Sequence, residues 1–351
     1  MHPKRPVLGL VAAAATTAGL CSAAFVASAD EGGAWTTSKL KHRAIEDFDY
    51  VLGQEKWKTL GSEIDVFGHE FPLEVLGPMR FEIDSNGDGD PDEDVKGAEG
   101  FVDLKGENED GQVFHYGVRF KNTGQRKWSW TTSGVMTGKV GGVLVAVIDA
   151  NADGSYDDYG VDGLVIGSNR GAGYVSRIVN IDGELYDFEV SKDGTEIRTR
   201  AWAGETGTLS LEKIKGIKAK VANAIFKKGR DVAFDLGSAR GAVKVPVGDY
   251  VLDAAFLERG SESARVRSGR RKAIAVEAGS EVEIPWGGDL TAEMPAPTVR
   301  AGKVTLNPSV KIYGENGEEY YDFQPVGKAP SFEIKDANTG KRLKKGKFPS
   351  G

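Results

Sequence analysis

The chain has 351 residues, 45 of them basic and 52 acidic, and a single cysteine, Cys21. One thiol excludes an intrachain disulfide, so stability must come from apolar burial, and this length supports either one large core or several smaller ones. The formal net charge of −7 hides an uneven distribution that invites cations to one part of the chain and anions to another.

Residues 1–29 read as a cleavable export signal. Lys4 and Arg5 supply the positive segment, Val7 to Leu20 is apolar and alanine-rich, and Ala27-Ser28-Ala29 places small residues before a cleavage point at Asp30. Spanning a membrane takes about 20 continuous apolar residues, and Thr16, Thr17 and Ser22 interrupt this run. Cys21 would suit a lipoprotein signal, but Leu20 stands where such signals resemble one another in carrying Gly, Ala or Ser. The expectation is a secreted or periplasmic protein with no membrane span in the mature chain. Nucleic acid is not a partner to expect in that compartment.

Charge divides the chain beyond the signal. From Asp30 to Gly207 there are 18 basic and 34 acidic residues, a net of −16, whereas Thr208 to Gly351 holds 25 and 18, a net of +7. The composition therefore predicts an acidic β-rich domain over 30–207 and a basic remainder. Pro295-Ala296-Pro297 reads as a joint, dividing that remainder into a sandwich module over 208–294 and a small C-terminal β module over 295–351 with a basic tail from Lys341 to Lys347.

In chain order, the first expected element is a helix, with Thr36-Thr37-Ser38 as cap and Lys39 to Val51 as body; Gly53 to Thr59 is ambiguous. Strands come next. Met79 to Ile83, Gln112 to Lys121 and Val140 to Ile148 carry strand patterns, and Glu184 to Arg200 is a hairpin turning at Asp193-Gly194. Leu211 to Lys228 fits helical spacing through Ile214, Ile217, Val221 and Ile225, yet Ile217 to Ala222 alternates; its strand-forming neighbours favour a strand. Arg230 to Leu236, Ala242 to Glu258, Lys272 to Val276 and Glu281 to Pro285 repeat the strand pattern between Gly and Ser clusters. Many short strands at such spacing predict a β-sandwich.

Two aspartate-rich stretches carry the chemistry. In VIDANADGSYDDYGVDG, Asp149, Asn151, Asp153, Gly154, Ser155 and Asp157 fall at positions 1, 3, 5, 6, 7 and 9 of the calcium-loop template. In IDSNGDGDPDED, Asp84, Asn86, Asp88, Gly89, Asp90 and Asp92 fit the same positions. Calcium takes six to eight oxygens at about 2.3–2.6 Å, and alternate residues of a tightly turning loop can aim carboxylates and amides inward while one carbonyl completes the ring. Each stretch resembles, over about a dozen residues, the calcium loops of EF-hand, dockerin and thrombospondin type 3 proteins. The resemblance implies two calcium sites.

The departures limit that implication. Position 12, a bidentate glutamate in EF-hands, is Gly160 in the later loop and Val95 in the earlier one, and the flanks read as strands. A helix–loop–helix sensor is not expected; a structural ion joining strand to strand is. Asp158 or Asp162, and Glu93 or Asp94, are candidates for the missing oxygen. Asp, Asn and Gly also favour ordinary turns without any ion.

Other chemistry is sparse. His42, His69 and His115 are isolated in sequence, and His69-Glu70 runs on into Phe71-Pro72-Leu73 with no second histidine four residues on, which argues against a zinc-protease helix. No Gly-x-Ser-x-Gly elbow or phosphate-cradling loop occurs. A glycosidase carboxylate pair is defined by spatial separation, so sequence does not exclude it. Trp128 and Trp130 share one face of an expected strand: exposed, they would stack on sugar rings, although aromatic residues alternating along a strand more often face the core. Arg265, Arg267, Arg270, Arg271 and Lys272 form a basic cluster suited to an anionic polymer or simply to solvent. KVPVGDYVLDAAFLE, from Lys244 to Glu258, resembles the PxGxY strand pair of bacterial immunoglobulin-like and carboxypeptidase-regulatory-like modules, which implies a fold and no activity.

The expected fold class is thus mainly β and multi-module, with immunoglobulin-like sandwich modules and strand-flanked calcium loops. The expected role is a non-catalytic calcium-binding structural or adhesion protein. Binding of a carbohydrate or cell-surface polymer is the second reading, and a secreted hydrolase the third.

Overall fold

In the computed structural model the described residues are 33–347, apart from 109–110, 217, 302, 306, 308 and 328–330; the expected export signal lies outside them. Every regular element among them is a strand. No helix of the described residues is long and apolar enough to cross a membrane.

The acidic part contains three sheets. The largest has eight strands, running in space from Gly173–Tyr174 through Gly163–Ile166, Val143–Ile148, Gly134–Val140, Thr36–Ala44, Glu196–Ala201 and Glu184–Val190 to Ile178–Ile181. A four-stranded sheet is built from Lys58–Thr59, Lys127–Thr132, Val113–Gly124 and Glu99–Glu107, and a second from Glu63–Val66, His69–Gly77, Arg80–Ile83 and Glu93–Lys96. All three feed one apolar core, in which Phe81, Tyr116, Trp128, Val147 and Phe188 meet. Burying each large apolar side chain stabilises by about 1.5–3 kcal/mol relative to exposure.

Thr36–Ala44 corrects the expected N-terminal helix. Its burial alternates, with Ser38, Leu40, His42 and Ala44 turned inward, and it pairs with Gly134–Val140 on one side and Glu196–Ala201 on the other. Central placement in a sheet overrides the local cap signal, because two ladders satisfy its backbone and a helix would leave both neighbours with open edges.

In the basic part, Leu209, Val245 and Ile284 of a three-stranded sheet share a second core with Phe226, Leu252, Val266 and Tyr320 of another eight-stranded sheet. Within the smaller sheet Thr206–Leu211 and Glu281–Ile284 run parallel. Lys220–Lys228 is a strand, as its neighbours suggested. Tyr250 is fully buried and its hydroxyl donates to the Pro246 carbonyl at 2.7 Å, so this tyrosine ties its strand to the preceding turn.

Residue 295 is not a module boundary. Lys311–Tyr313 and Glu319–Gln324 complete the eight-stranded sheet, and Tyr313 and Tyr320 are buried. Among the described residues after 297, only the hairpins Thr298–Arg300 with Lys303–Thr305 and Ser331–Lys335 with Arg342–Lys347 stand outside it. The basic cluster also has intramolecular work: Arg265 pairs with Asp322, Arg267 with Glu319, Arg270 with Glu293, and the buried Arg271 with the buried Glu318. Such pairing leaves little of the cluster for an anionic polymer.

The acidic and basic parts are stitched by polar contacts. The buried Asn223 amide donates to the carbonyls of Val51 at 3.0 Å and Ala172 at 3.3 Å. Lys227 Nζ donates to the Gly160 carbonyl at 2.9 Å, and the Tyr174 hydroxyl donates to Asp253 at 2.9 Å.

Candidate functional site

Both aspartate stretches are hairpin connections between antiparallel strands. The earlier loop leaves Arg80–Ile83 and returns as Glu93–Lys96, with Ile83 opposite Glu93. The later one leaves Val143–Ile148 and returns as Gly163–Ile166, with Ile148 opposite Gly163.

The two loops share one hydrogen-bond frame. At position 1, Asp84 Oδ2 accepts from Gly89 N at 2.8 Å, and Asp149 Oδ2 accepts from Gly154 N at 2.8 Å. At position 3, Asn86 Oδ1 accepts from Asp88 N and Asn151 Oδ1 from Asp153 N, both at 2.9 Å. At position 5, Asp88 Oδ1 accepts from Asp90 N at 3.0 Å and Asp153 Oδ1 from Ser155 N at 2.9 Å. Glycine at position 6 has a left-handed backbone in both, with φ 96° at Gly89 and 86° at Gly154. Position 4 is left-handed too, at Gly87 (φ 72°) and, without a glycine, at Ala152 (φ 56°). Holding an alanine there costs about 1–2 kcal/mol, so the surrounding bonds must impose the conformation.

Position 9 behaves differently in the two. Asp92 folds back to accept from Ser85 N at 2.7 Å, Ser85 Oγ at 3.0 Å and Asn86 Nδ2 at 3.0 Å. Asp157 accepts from Ser155 Oγ at 2.5 Å. Of the candidates for the missing oxygen, Asp158 accepts from Asn151 Nδ2 at 2.6 Å, while Asp162 ties the amides of Ala150 (3.1 Å) and Asp158 (2.9 Å) together. Asp94 is taken by Arg80 at 2.9 Å and Lys96 at 2.5 Å, and these bonds hold its carboxyl below the usual range.

Position 12 has a physical explanation. A Cβ on Gly160 would lie 2.2 Å from the Arg230 carbonyl, so the basic part packs where a ligating side chain would start. Val95 is instead a core residue.

The later loop is the more deeply set. Asp149 and Asp162 are fully buried, and the Tyr116 hydroxyl donates to Asp149 Oδ2 at 2.7 Å. Burial pushes the Asp149 carboxyl up to about 6, and burial reinforced by the Asp149 charge pushes Asp162 up to about 9. Asp158 is raised as well, by burial first and by its carboxylate neighbours after that. Among the described residues, no Lys or Arg forms an ion pair with Asp84, Asp88, Asp90, Asp92, Asp149, Asp153, Asp157, Asp158 or Asp162.

Among the described residues, no three His, Cys, Asp or Glu side chains form a ready-made metal group. The oxygens each loop could offer an ion are mixed: two carboxylates, an amide and a main-chain carbonyl, all hard oxygen. That chemistry fits calcium and not a soft or imidazole-seeking metal.

Trp128 and Trp130 offer no platform for a sugar. They are only 1% and 4% exposed, and Phe81 lies edge-on to Trp128 with ring centroids 5.0 Å apart. Their strand, Lys127–Thr132, turns both rings into the core shared by three sheets.

Sequence reasoning missed Tyr116 as a partner of Asp149, and it missed His42 and His115, whose rings stack with centroids 6.1 Å apart. Only the register between distant strands could have revealed them. No family model, curated protein or solved structure matches the chain.

Proposed function

We propose that this is an exported, non-catalytic β protein whose acidic part is consolidated by two structural calcium ions, one in each aspartate loop, and whose basic part is built from immunoglobulin-like sandwich. The observation that carries the reading is the frame the two loops have in common: the same three side chains accept from the same three amides, around left-handed residues at the same two positions. The same order of Asp, Asn, Asp and Gly thus folds to one frame twice, in different surroundings.

Asp84, Asn86 and Asp88 would hold one ion with the Asp90 carbonyl, and Asp149, Asn151 and Asp153 the other with the Ser155 carbonyl. The ion supplies charge neutralisation and cross-linking of the hairpin. Each close pair of like charges costs on the order of 1 kcal/mol even in high dielectric, and a divalent cation reverses the sign. The frame itself presets the loop by fixing the carboxylates and the amide on backbone N–H groups before any ion binds.

Thermal melting in calcium and then in excess chelator tests this. An ion bound only by the folded state stabilises by about 2.7 kcal/mol at a hundredfold excess over Kd, so the melting temperature should fall on chelation. An unchanged melt would return both loops to ordinary turns.

A further inference from the structure

We infer that a cleft beside the later aspartate loop binds a neutral saccharide, with His115 as its principal contact. The cleft has a volume of about 460 Å³, within the roughly 300–1,000 Å³ of small-molecule sites. Its apolar lining includes Phe67, Phe114, Met136 and Tyr156, and its polar lining includes His42, His115, Asp103, Asp193, Thr195 and Lys41.

The imidazole wall is organised in advance. His115 Nδ1 lies 3.1 Å from Asp103 Oδ2; donating its proton there leaves Nε2 free to accept. His42 Nε2 accepts from Gly117 N at 3.3 Å, so the neutral ring carries its proton on Nδ1. The two rings are nearly parallel, 19° apart with centroids separated by 6.1 Å, and the outer one, His115, is exposed. A flat π surface, aromatic neighbours and a rim of mixed donors and acceptors match a pyranose, which offers an apolar C–H face and hydroxyls that both donate and accept.

The alternatives fit less well. An anion would find Lys41 on the lining but would meet the carboxylates of Asp103 and Asp193 as well. A metal ion would need His42 Nε2, which is committed to Gly117, and no three metal-ligating side chains group together among the described residues. An organic cation wants several ring faces turned to one point, whereas Phe67 and Phe114 meet edge to face at 71°. Hydrolysis has no free carboxylate pair here: Asp193 accepts from Ser191 Oγ, Thr195 N and Thr195 Oγ1, and so closes its own turn.

The experiment is calorimetric titration of the full chain with a panel of gluco-, galacto-, xylo- and N-acetylglucosamine oligosaccharides, and with benzyltrimethylammonium, each in calcium and in chelator. Saturable binding of at least one saccharide is expected, weakened at least tenfold by His115→Ala with an unchanged melting curve. Absence of saccharide binding, binding indifferent to His115→Ala, or preference for the ammonium probe overturns the proposal. Because the titrations run with and without calcium, failure of the cleft is distinguishable from failure of the loops.

Discussion

The two aspartate loops obey the same local rules in different surroundings. The earlier one hangs from a four-stranded sheet with Asp88, Asp90 and Asp92 exposed; the later one is driven into the fold, with Asp149 bonded to Tyr116 and Gly160 clamped by Lys227. The hydrogen-bond frame is therefore set by a dozen adjacent residues, whereas its energetic weight is set by the parts of the chain that pack around it.

The largest expected difference comes from removing the first aspartate of each loop. Asp149→Ala strands the Gly154 amide and the Tyr116 hydroxyl in a dry site, and about 1–3 kcal/mol per buried unsatisfied donor gives a loss of about 4 kcal/mol. Asp84→Ala, whose amide partners sit nearer solvent, should cost about 2 kcal/mol. Urea titrations of both variants decide it, and equal losses would erase the contrast.

Glycine substitutions probe the same contrast through the backbone. Gly160→Ala puts a methyl 2.2 Å from the Arg230 carbonyl at a φ of 76°, so steric shift adds to left-handed strain for a loss of about 3 kcal/mol. Gly89→Ala, with φ 96° and no heavy atom within 4 Å, should lose only about 1 kcal/mol. Circular dichroism melts of the two would separate packing from strain.

Acidification adds a third point of reference, outside both loops. Burial, reinforced by the neighbouring His115, holds the His42 imidazole down to about 4 against an Asp103 charge that pulls the other way. The unfolded chain protonates its histidine near 6.5, so the folded state binds fewer protons between those values. Stability from this group is therefore complete above pH 6.5 and lost as pH falls toward 4, by an amount on the order of 2 kcal/mol. His42→Gln should flatten that segment of a pH–stability curve.

The smallest effect belongs to the rim of the earlier loop. Arg80 bridges Glu82 and Asp94 at the surface, and such pairs contribute little once screened. Arg80→Ala should leave the melt unchanged; a clear drop would mean that the earlier loop leans on its surroundings more than its exposure suggests.

Legibility in the sequence obeys the same division between local and distant. The loops were readable because ligand-type residues, glycine and turn succeed one another within twelve positions. So was the Asp193-Gly194 hairpin, whose strands Glu184–Val190 and Glu196–Ala201 pair directly. The Thr36–Ala44 strand was not, since its partners lie far along the chain and only they outweigh a helix-like start. Pro295-Ala296-Pro297 looked like a boundary, but the aromatic residues beyond it, Tyr313 and Tyr320, are buried, and Tyr320 belongs to the core that precedes it. Alternation in KWSWTT showed that Trp128 and Trp130 share a face; which face was decided by the strands packed over them.

Calcium stoichiometry, measured by equilibrium dialysis on the chain, bears on both loops at once. Two ions per chain are expected, falling to one in Asp149→Asn with Asp153→Asn, and to one in Asp84→Asn with Asp88→Asn. Retention of no calcium by the unaltered chain, or of two ions by either double variant, would contradict the assignment of an ion to each loop.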